Sequence, residues 1–145
     1  MWKIFTGAIV RNSENKLLCQ LRDDKPGIIF PGYWTCSPGG TVEPGEEPVQ
    51  AIKREMREEF EIEIKNICQL VTFDLQEKFP GTYHIFTAQM ITPTDQVKCN
   101  EGQRVDFFDA DKALELHQHP LNLKILNYYL QPPLNTSVLQ WNLDL

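Results

Sequence analysis

The sequence predicts a single domain of mixed α and β structure (class α/β, α+β), and three observations predict it. The chain of 145 residues has the size of one domain and no repeat, low-complexity stretch or composition shift, so residues 1–145 are read as one unit. Short apolar runs bounded by turn clusters recur along the chain, as strands do. Two longer segments, starting at Pro48 and Pro120, continue for more than two helical turns without a breaker.

The elements follow in order. Lys3 to Arg11 reads as a strand through Ile4, Phe5, Ala8, Ile9 and Val10. Asn12-Ser13-Glu14-Asn15 is a turn cluster and Lys16 to Leu21 returns, so a hairpin is expected. Arg22 to Gly32 is a loop, and Tyr33 to Ser37 is a short apolar piece broken by Pro38-Gly39-Gly40. Pro44-Gly45 marks a turn. Pro48 fits the first turn of a helix, where its missing N–H costs nothing, and that helix is expected to reach Phe60. Strands are expected over Ile64 to Leu75 and Thr82 to Ile91, parted by Phe79-Pro80-Gly81. After an Asn100-Glu101-Gly102 loop come a strand, Val105 to Phe108, and a short helix, Ala110 to Leu116, capped by Asp109. A last helix, Pro120 to Leu130, is stopped by Pro132-Pro133. The periodicity of the tail, 131–145, is ambiguous; Val138, Leu139 and Trp141 suggest that it packs on something.

Composition excludes some functions. A net charge of -6 argues against a nucleic-acid polymer or a membrane surface as partner, since both attract basic surfaces. It does not exclude a phosphate substrate, because a bound cation reverses the local field of an acidic site. Cys19, Cys36, Cys68 and Cys99 lack the spacing of a zinc site or disulfide framework and read as reduced thiols. There is no basic leader before the first apolar run and no apolar stretch of spanning length; a cytoplasmic protein is expected.

The helix from Pro48 carries the chemistry. At about 100° per residue, Glu58 falls near 300° and Glu59 near 40° from Glu55, so these carboxylates share one face. Ala51 lies amid them, while Val49, Ile52, Met56 and Phe60 form the stripe expected to be buried. Like charges at this spacing repel. Oxygen ligands suit a hard cation, which would offset that repulsion.

Gly40, Glu46, Arg54, Glu55, Met56, Glu58, Glu59 and Ile62 stand at the spacing of G-x5-E-x7-R-E-U-x-E-E-x-G-U, where U is bulky and apolar. The segment resembles the Nudix box. Glu61 departs from it, standing where the family has glycine. The resemblance implies an α/β/α sandwich with a mixed sheet, and a metal-dependent hydrolase using Mg²⁺, with Mn²⁺ as the alternative. It assigns Glu55, Glu58 and Glu59 as metal ligands, with the carbonyl of Gly39 beside them, and gives Glu55 and Glu58 a share in catalysis. Arg54 resembles the arginine that orients the glutamates. Glu46 is either a partner of the loop and helix or an exposed acid near the helix start. Glu61 predicts a helix that ends differently or runs on a little, because the family glycine takes a left-handed conformation there.

In MutT-type members the base lies in a loop run similar to Glu101-Gly102-Gln103, which makes Glu101 a candidate base or extra ligand; the alternative is a plain loop acid. Arg22, Trp34 and Gly40 are the candidate substrate-binding residues, Arg22 for a phosphate and Trp34 as a stacking platform or a core residue. His117 and His119 read as surface loop. Cys36 resembles the reactive cysteine of isopentenyl diphosphate isomerases, but no histidine precedes His84 to supply the metal pair of that class, and a packed thiol is expected. The implied activity is hydrolysis of a phosphoanhydride bond in a nucleoside diphosphate linked to X, either a nucleoside triphosphate or a nucleotide sugar. The alternative is a catalytically silent nucleotide-binding sensor with the same fold. The implied partner is a small-molecule nucleotide, and a homodimer stays open.

Overall fold

The structure, a computed structural model, describes residues 2–131; the expectations for Pro132-Pro133 and the tail beyond lie outside the described residues. The elements are β1 (Lys3–Arg11), β2 (Leu17–Leu21), β3 (Trp34–Thr35), β4 (Gly39–Thr41), α1 (Pro48–Phe60), β5 (Ile64–Leu75), β6 (Gly81–Met90), β7 (Arg104–Phe108), α2 (Ala110–Ala113) and α3 (Pro120–Leu130), with a turn of 3-10 helix at Thr94–Gln96.

The strands form one mixed sheet. β1 runs parallel to β6 along its whole length, Lys3 opposite Gly81 and Arg11 opposite Gln89. β5 continues the sheet antiparallel to β6. The expected hairpin between β1 and β2 forms, with Arg11 opposite Leu17. Toward the start of β1 its antiparallel partner is instead β4, a strand that the sequence reading took for a break. Only glycine permits this: a Cβ on Gly39 would overlap the Thr6 carbonyl oxygen and come within 2.7 Å of the Gly7 Cα. β2 is further held by β7 along its length and by β3 at Gln20 and Leu21.

Alternation along the strands splits the core. Ala8, Val10, Leu18, Phe86 and Ala88 face one way and pack with Ile52, Met56 and Phe60 of α1. Phe5, Ile9, Cys19, Tyr83 and Ile85 face the other way and pack with Ala113, Leu121, Ile125 and Leu126 of α2 and α3. The result is an α/β/α sandwich. Each large side chain so buried contributes on the order of 2 kcal/mol. Phe5, Tyr83 and Phe73 lie side by side across β1, β6 and β5 and stack at 4.5 and 5.1 Å.

Several local expectations are corrected. Val49 is 39% exposed, because it sits in the first turn of α1, outside the stripe that meets the sheet. α2 stops at Ala113 rather than Leu116: Glu115 and Leu116 bond back to Lys112 and Ala113 in a tighter turn, and the Gln118 side chain takes the Ala113 carbonyl at 2.6 Å. Asp109 precedes α2 without a side-chain capping bond. His119 caps α3, its Nδ1 accepting from the Leu121 N–H at 3.2 Å, and it stacks on Phe30 at 3.9 Å; His117 stacks on Tyr33 at 4.6 Å. His117 is exposed in its loop, as expected, while His119 is half-buried. Cys36 is buried with its Sγ 3.0 Å from that of Cys19, whose pKa is raised by this contact and by burial. Among the described residues no helix is long and apolar enough to cross a membrane.

Candidate active site

α1 starts where the sequence places it. Pro48 occupies the first turn, and the Gln50 side chain accepts from the Glu47 N–H at 2.8 Å. One and a half turns on, Arg54 gathers the acids. Its Nε and Nη2 donate to the two oxygens of Glu46 at 2.8 and 3.0 Å, a fork-on-fork pair. Nη1 donates to Glu55 at 2.9 Å and to Glu58 at 3.2 Å, and Nη2 also reaches the Thr41 carbonyl of β4 at 3.0 Å. Glu46 in turn accepts from the Glu43 N–H at 3.0 Å. Of the two readings of Glu46, the structure shows the first: it is the anchor of Arg54. Hydrogen bonding to Arg54 holds the Glu46 carboxyl below its ordinary pKa, and the same bond holds the guanidinium above its own.

Glu55 lies against β4. A Cβ on Gly40 would overlap its carboxylate, so the bare glycine makes room for it. Burial raises the Glu55 pKa, against the pull of Arg54. Glu59 is 5% exposed. Burial pushes it up to about 9, helped by a hydrogen bond with the Glu101 carboxyl and by the charges of Glu55 and Glu101, and opposed by Arg22. Its Oε2 is buried with no hydrogen-bond partner among the described residues. Glu101 arrives from the loop before β7, with its carbonyl fixed by the Gln20 side chain at 2.9 Å.

These groups border a cavity of about 510 Å³. From the α1 side come Glu55, Glu58 and Glu59, with Glu101 and Arg22 from neighbouring loops. Arg22 is braced by its Nε on the Ile29 carbonyl at 2.6 Å and makes no ion pair among the described residues. From the α3 side come apolar groups, Phe5, Tyr83, Leu121 and Ile125, with Asn122 among them. Asn122 is 7% exposed and its Nδ2 has no partner among the described residues.

Of the residues singled out in the sequence, the structure thus brings Gly39, Gly40, Arg54, Glu55, Glu58, Glu59, Glu101 and Arg22 to one cavity. Trp34 is elsewhere: it packs edge-on against Phe108 at 5.5 Å, with Arg104 over its ring at 5.4 Å, and does not line the cavity. Cys36 faces the core instead. Among the described residues no three His, Cys, Asp or Glu side chains converge on one metal position; Glu55 and Glu58 turn to Arg54. Sequence reasoning missed Asn122. A signal existed, a carboxamide inside the stripe Leu121, Ile125 and Leu126 of α3, where a solvated residue has no place.

The profile of the NUDIX domain matches residues 2–129. The chain belongs to the NUDIX family. The nucleoside triphosphatase NudI of Escherichia coli (strain K12 / DH10B) is 47% identical over 51 residues, 35% of this chain and 34% of NudI. This chain therefore matches about a third of the length of that relative. Among solved NUDIX structures, the MutT protein from Methanosarcina mazei Go1 has a TM-score of 0.70 at 24% identity, over 90% of this chain and 94% of that one. A NUDIX hydrolase from Nitrosomonas europaea has a TM-score of 0.75 at 22% identity, over 96% and 79%. The NUDIX domain of Shewanella oneidensis NrtR, complexed with ADP ribose, has a TM-score of 0.71 at 16% identity, over 90% and 88%. These structures share the fold. NUDIX hydrolases generally use divalent metal ions.

Proposed function

We propose that this NUDIX chain is a Mg²⁺-dependent hydrolase of the phosphoanhydride bond in a nucleoside triphosphate or a similar substrate, a nucleoside diphosphate linked to X. One observation carries the reading: Glu55, Glu58, Glu59 and Glu101 edge the same cavity that Asn122 and an apolar wall shape on the α3 side. A polyanion and a nucleobase need those two surfaces together.

The residues fit a hard cation. The donor set is all oxygen, the Glu59 Oε2 is buried without a partner among the described residues, and Gly40 leaves Glu55 room beside the strand. Glu55, Glu58, Glu59 and the Gly39 carbonyl are the groups that would hold it, with Mn²⁺ as the alternative ion. When bound, such a cation screens the phosphates and eases deprotonation of water. The chain does the rest. Arg54 fixes the direction of Glu55 and Glu58. Glu101 takes the proton of the attacking water, its backbone fixed by the Gln20 side chain. Arg22, which makes no ion pair among the described residues, meets a phosphate oxygen with its guanidinium. Asn122 offers its amide to the edge of the base, while Leu121 and Ile125 exclude water around it. The free cysteines fit a reducing compartment, and the cytoplasm is the proposed location.

The test is release of phosphate or pyrophosphate, with Mg²⁺, across a panel of nucleoside triphosphates and nucleotide sugars. Turnover of a member, abolished by EDTA, is the expected result. Tight nucleotide binding without turnover of any member would establish the sensor instead.

Two substitutions refine the reading. Gly40→Ala pushes the Glu55 carboxylate, the end of a flexible side chain, out of its place. Activity is expected to fall roughly tenfold or more while thermal stability changes little, as a misplaced site group predicts; unchanged kcat would argue that Glu55 need not lie there. Asn122→Ala removes the buried amide. KM is expected to rise about tenfold with kcat nearly constant, the pattern of lost binding rather than lost chemistry. An unchanged KM across the panel would remove Asn122 from base recognition.

A further inference from the structure

Glu61 stands where the box has glycine, yet α1 still ends there in the left-handed conformation, φ 55° and ψ 41°, and does not run on. The N–H groups of Glu61 and Ile62 bond back to Arg57 and Met56 at 3.1 and 3.3 Å, as at a glycine terminus. A residue with a Cβ is strained in this conformation. A carboxylate is also disfavoured at the negative end of the helix dipole. Both effects oppose glutamate, so its side chain must supply something glycine lacks.

It supplies an acceptor for Asn100. The Asn100 Nδ2 donates to Glu61 Oε2 at 3.0 Å and to the Glu58 carbonyl at 3.0 Å. The Asn100 N–H donates to the Glu59 carbonyl at 2.9 Å and the Lys98 N–H to the Phe60 carbonyl at 3.0 Å. Carbonyls at the end of α1, which in an isolated helix would look to water, are taken by the segment before β7. The next residue in that segment is Glu101. Gln20 holds its carbonyl from the β2 side, and the Gln103 N–H bonds to the Leu21 carbonyl at 2.8 Å. The segment is thus gripped by β2 on one side and by the helix end on the other, and it brings Glu101 to the cavity that Glu59 lines.

We infer that Glu61 is a positioning residue: through Asn100 it latches the 98–101 segment to the end of α1 and thereby sets the position of Glu101 relative to Glu59. The inference rests on the reading of Glu101 as the proton acceptor. Restoring the family glycine would then relax the helix end and loosen the base.

The experiment compares E61G, E61Q and E101Q, and E61G in the E101Q background. E61G folds, because glycine takes the left-handed conformation without strain. Amide exchange over 98–103 is expected to quicken severalfold in E61G, whether or not a substrate is known. On a hydrolysed nucleotide, kcat is expected to fall roughly tenfold in E61G with KM within about twofold, the low end of what displacing a positioned group does. E61Q keeps an acceptor oxygen and restores most of that rate. In the E101Q background, adding E61G changes kcat less than about twofold, since both act through one group. Unchanged exchange over 98–103 in E61G would overturn the latch. So would a tenfold loss that persists undiminished in E101Q, one that recurs in E61Q, or an E101Q enzyme as fast as the wild type. If the wild type hydrolyses nothing in the panel, the functional reading fails while the exchange measurement still decides the latch.

Discussion

Glu59→Gln is expected to lower kcat by roughly 10³-fold, the scale of removing a principal electrostatic contact to a transition state. The side chain keeps its size and changes only its charge and one oxygen. Its environment already disfavours the charge when no cation is present, with the carboxyl buried, an oxygen unpartnered among the described residues, and the charges of Glu55 and Glu101 acting on it. A neutral amide there relieves a strained arrangement, so the thermal midpoint is expected to hold or rise. Loss of rate with gain or retention of stability would mark Glu59 as a group kept for chemistry. A Glu59→Gln enzyme with wild-type turnover in Mg²⁺ would remove this residue from the reaction.

Arg54→Lys is expected to lower kcat by about 10²-fold, the upper range for residues that orient the groups holding a metal. The exchange looks conservative and is not. Arg54 uses all three guanidinium nitrogens, on Glu46, Glu55, Glu58 and the Thr41 carbonyl, in a planar fork. An ammonium has one nitrogen and no plane, so it can serve Glu46 or Glu55 but not hold both in register. Glu55 and Glu58 are then free to rotate, and the tie from α1 to β4 is lost as well. The thermal midpoint should drop with the rate, unlike in Glu59→Gln. Steady-state kinetics with Mg²⁺ titration checks it: an Arg54→Lys enzyme with unaltered kcat and metal dependence would make the arginine a fold residue alone.

Much of this was legible because local rules and the fold agreed. The bounds of α1 and α3 follow from a proline that needs no hydrogen bond and a run without breakers, and both helices lie where those signals put them. The apolar runs of β1 and β5, set between turn signals, placed both strands, over Lys3–Arg11 and Ile64–Leu75. The acids of α1 share a face because of helical period alone. What escaped depends on distant parts of the chain. Pro38-Gly39-Gly40 reads locally as a breaker, but Gly39 and Gly40 form a strand because their partners, the Thr6 backbone and the Glu55 carboxylate, leave no space for a side chain. An aromatic such as Trp34 is equally plausible in a core and in a binding site; the partners that decide, Phe108 and Arg104, are some seventy residues away in sequence. Glu61 was legible as a departure, but not the reason for it, since Asn100 meets it only in the folded chain.

The pairing of β1 with β6 also bears on how the protein is made. β1 lies against a strand, Gly81–Met90, that leaves the ribosome well after it. Until then β1 has an open edge rich in Ile, Phe and Val, and the parallel register cannot be closed by any short loop. Folding of the sheet is consequently deferred until synthesis is well advanced. During that interval a hydrophobic strand edge is open to other nascent chains, the hazard that a late-closing parallel pair carries.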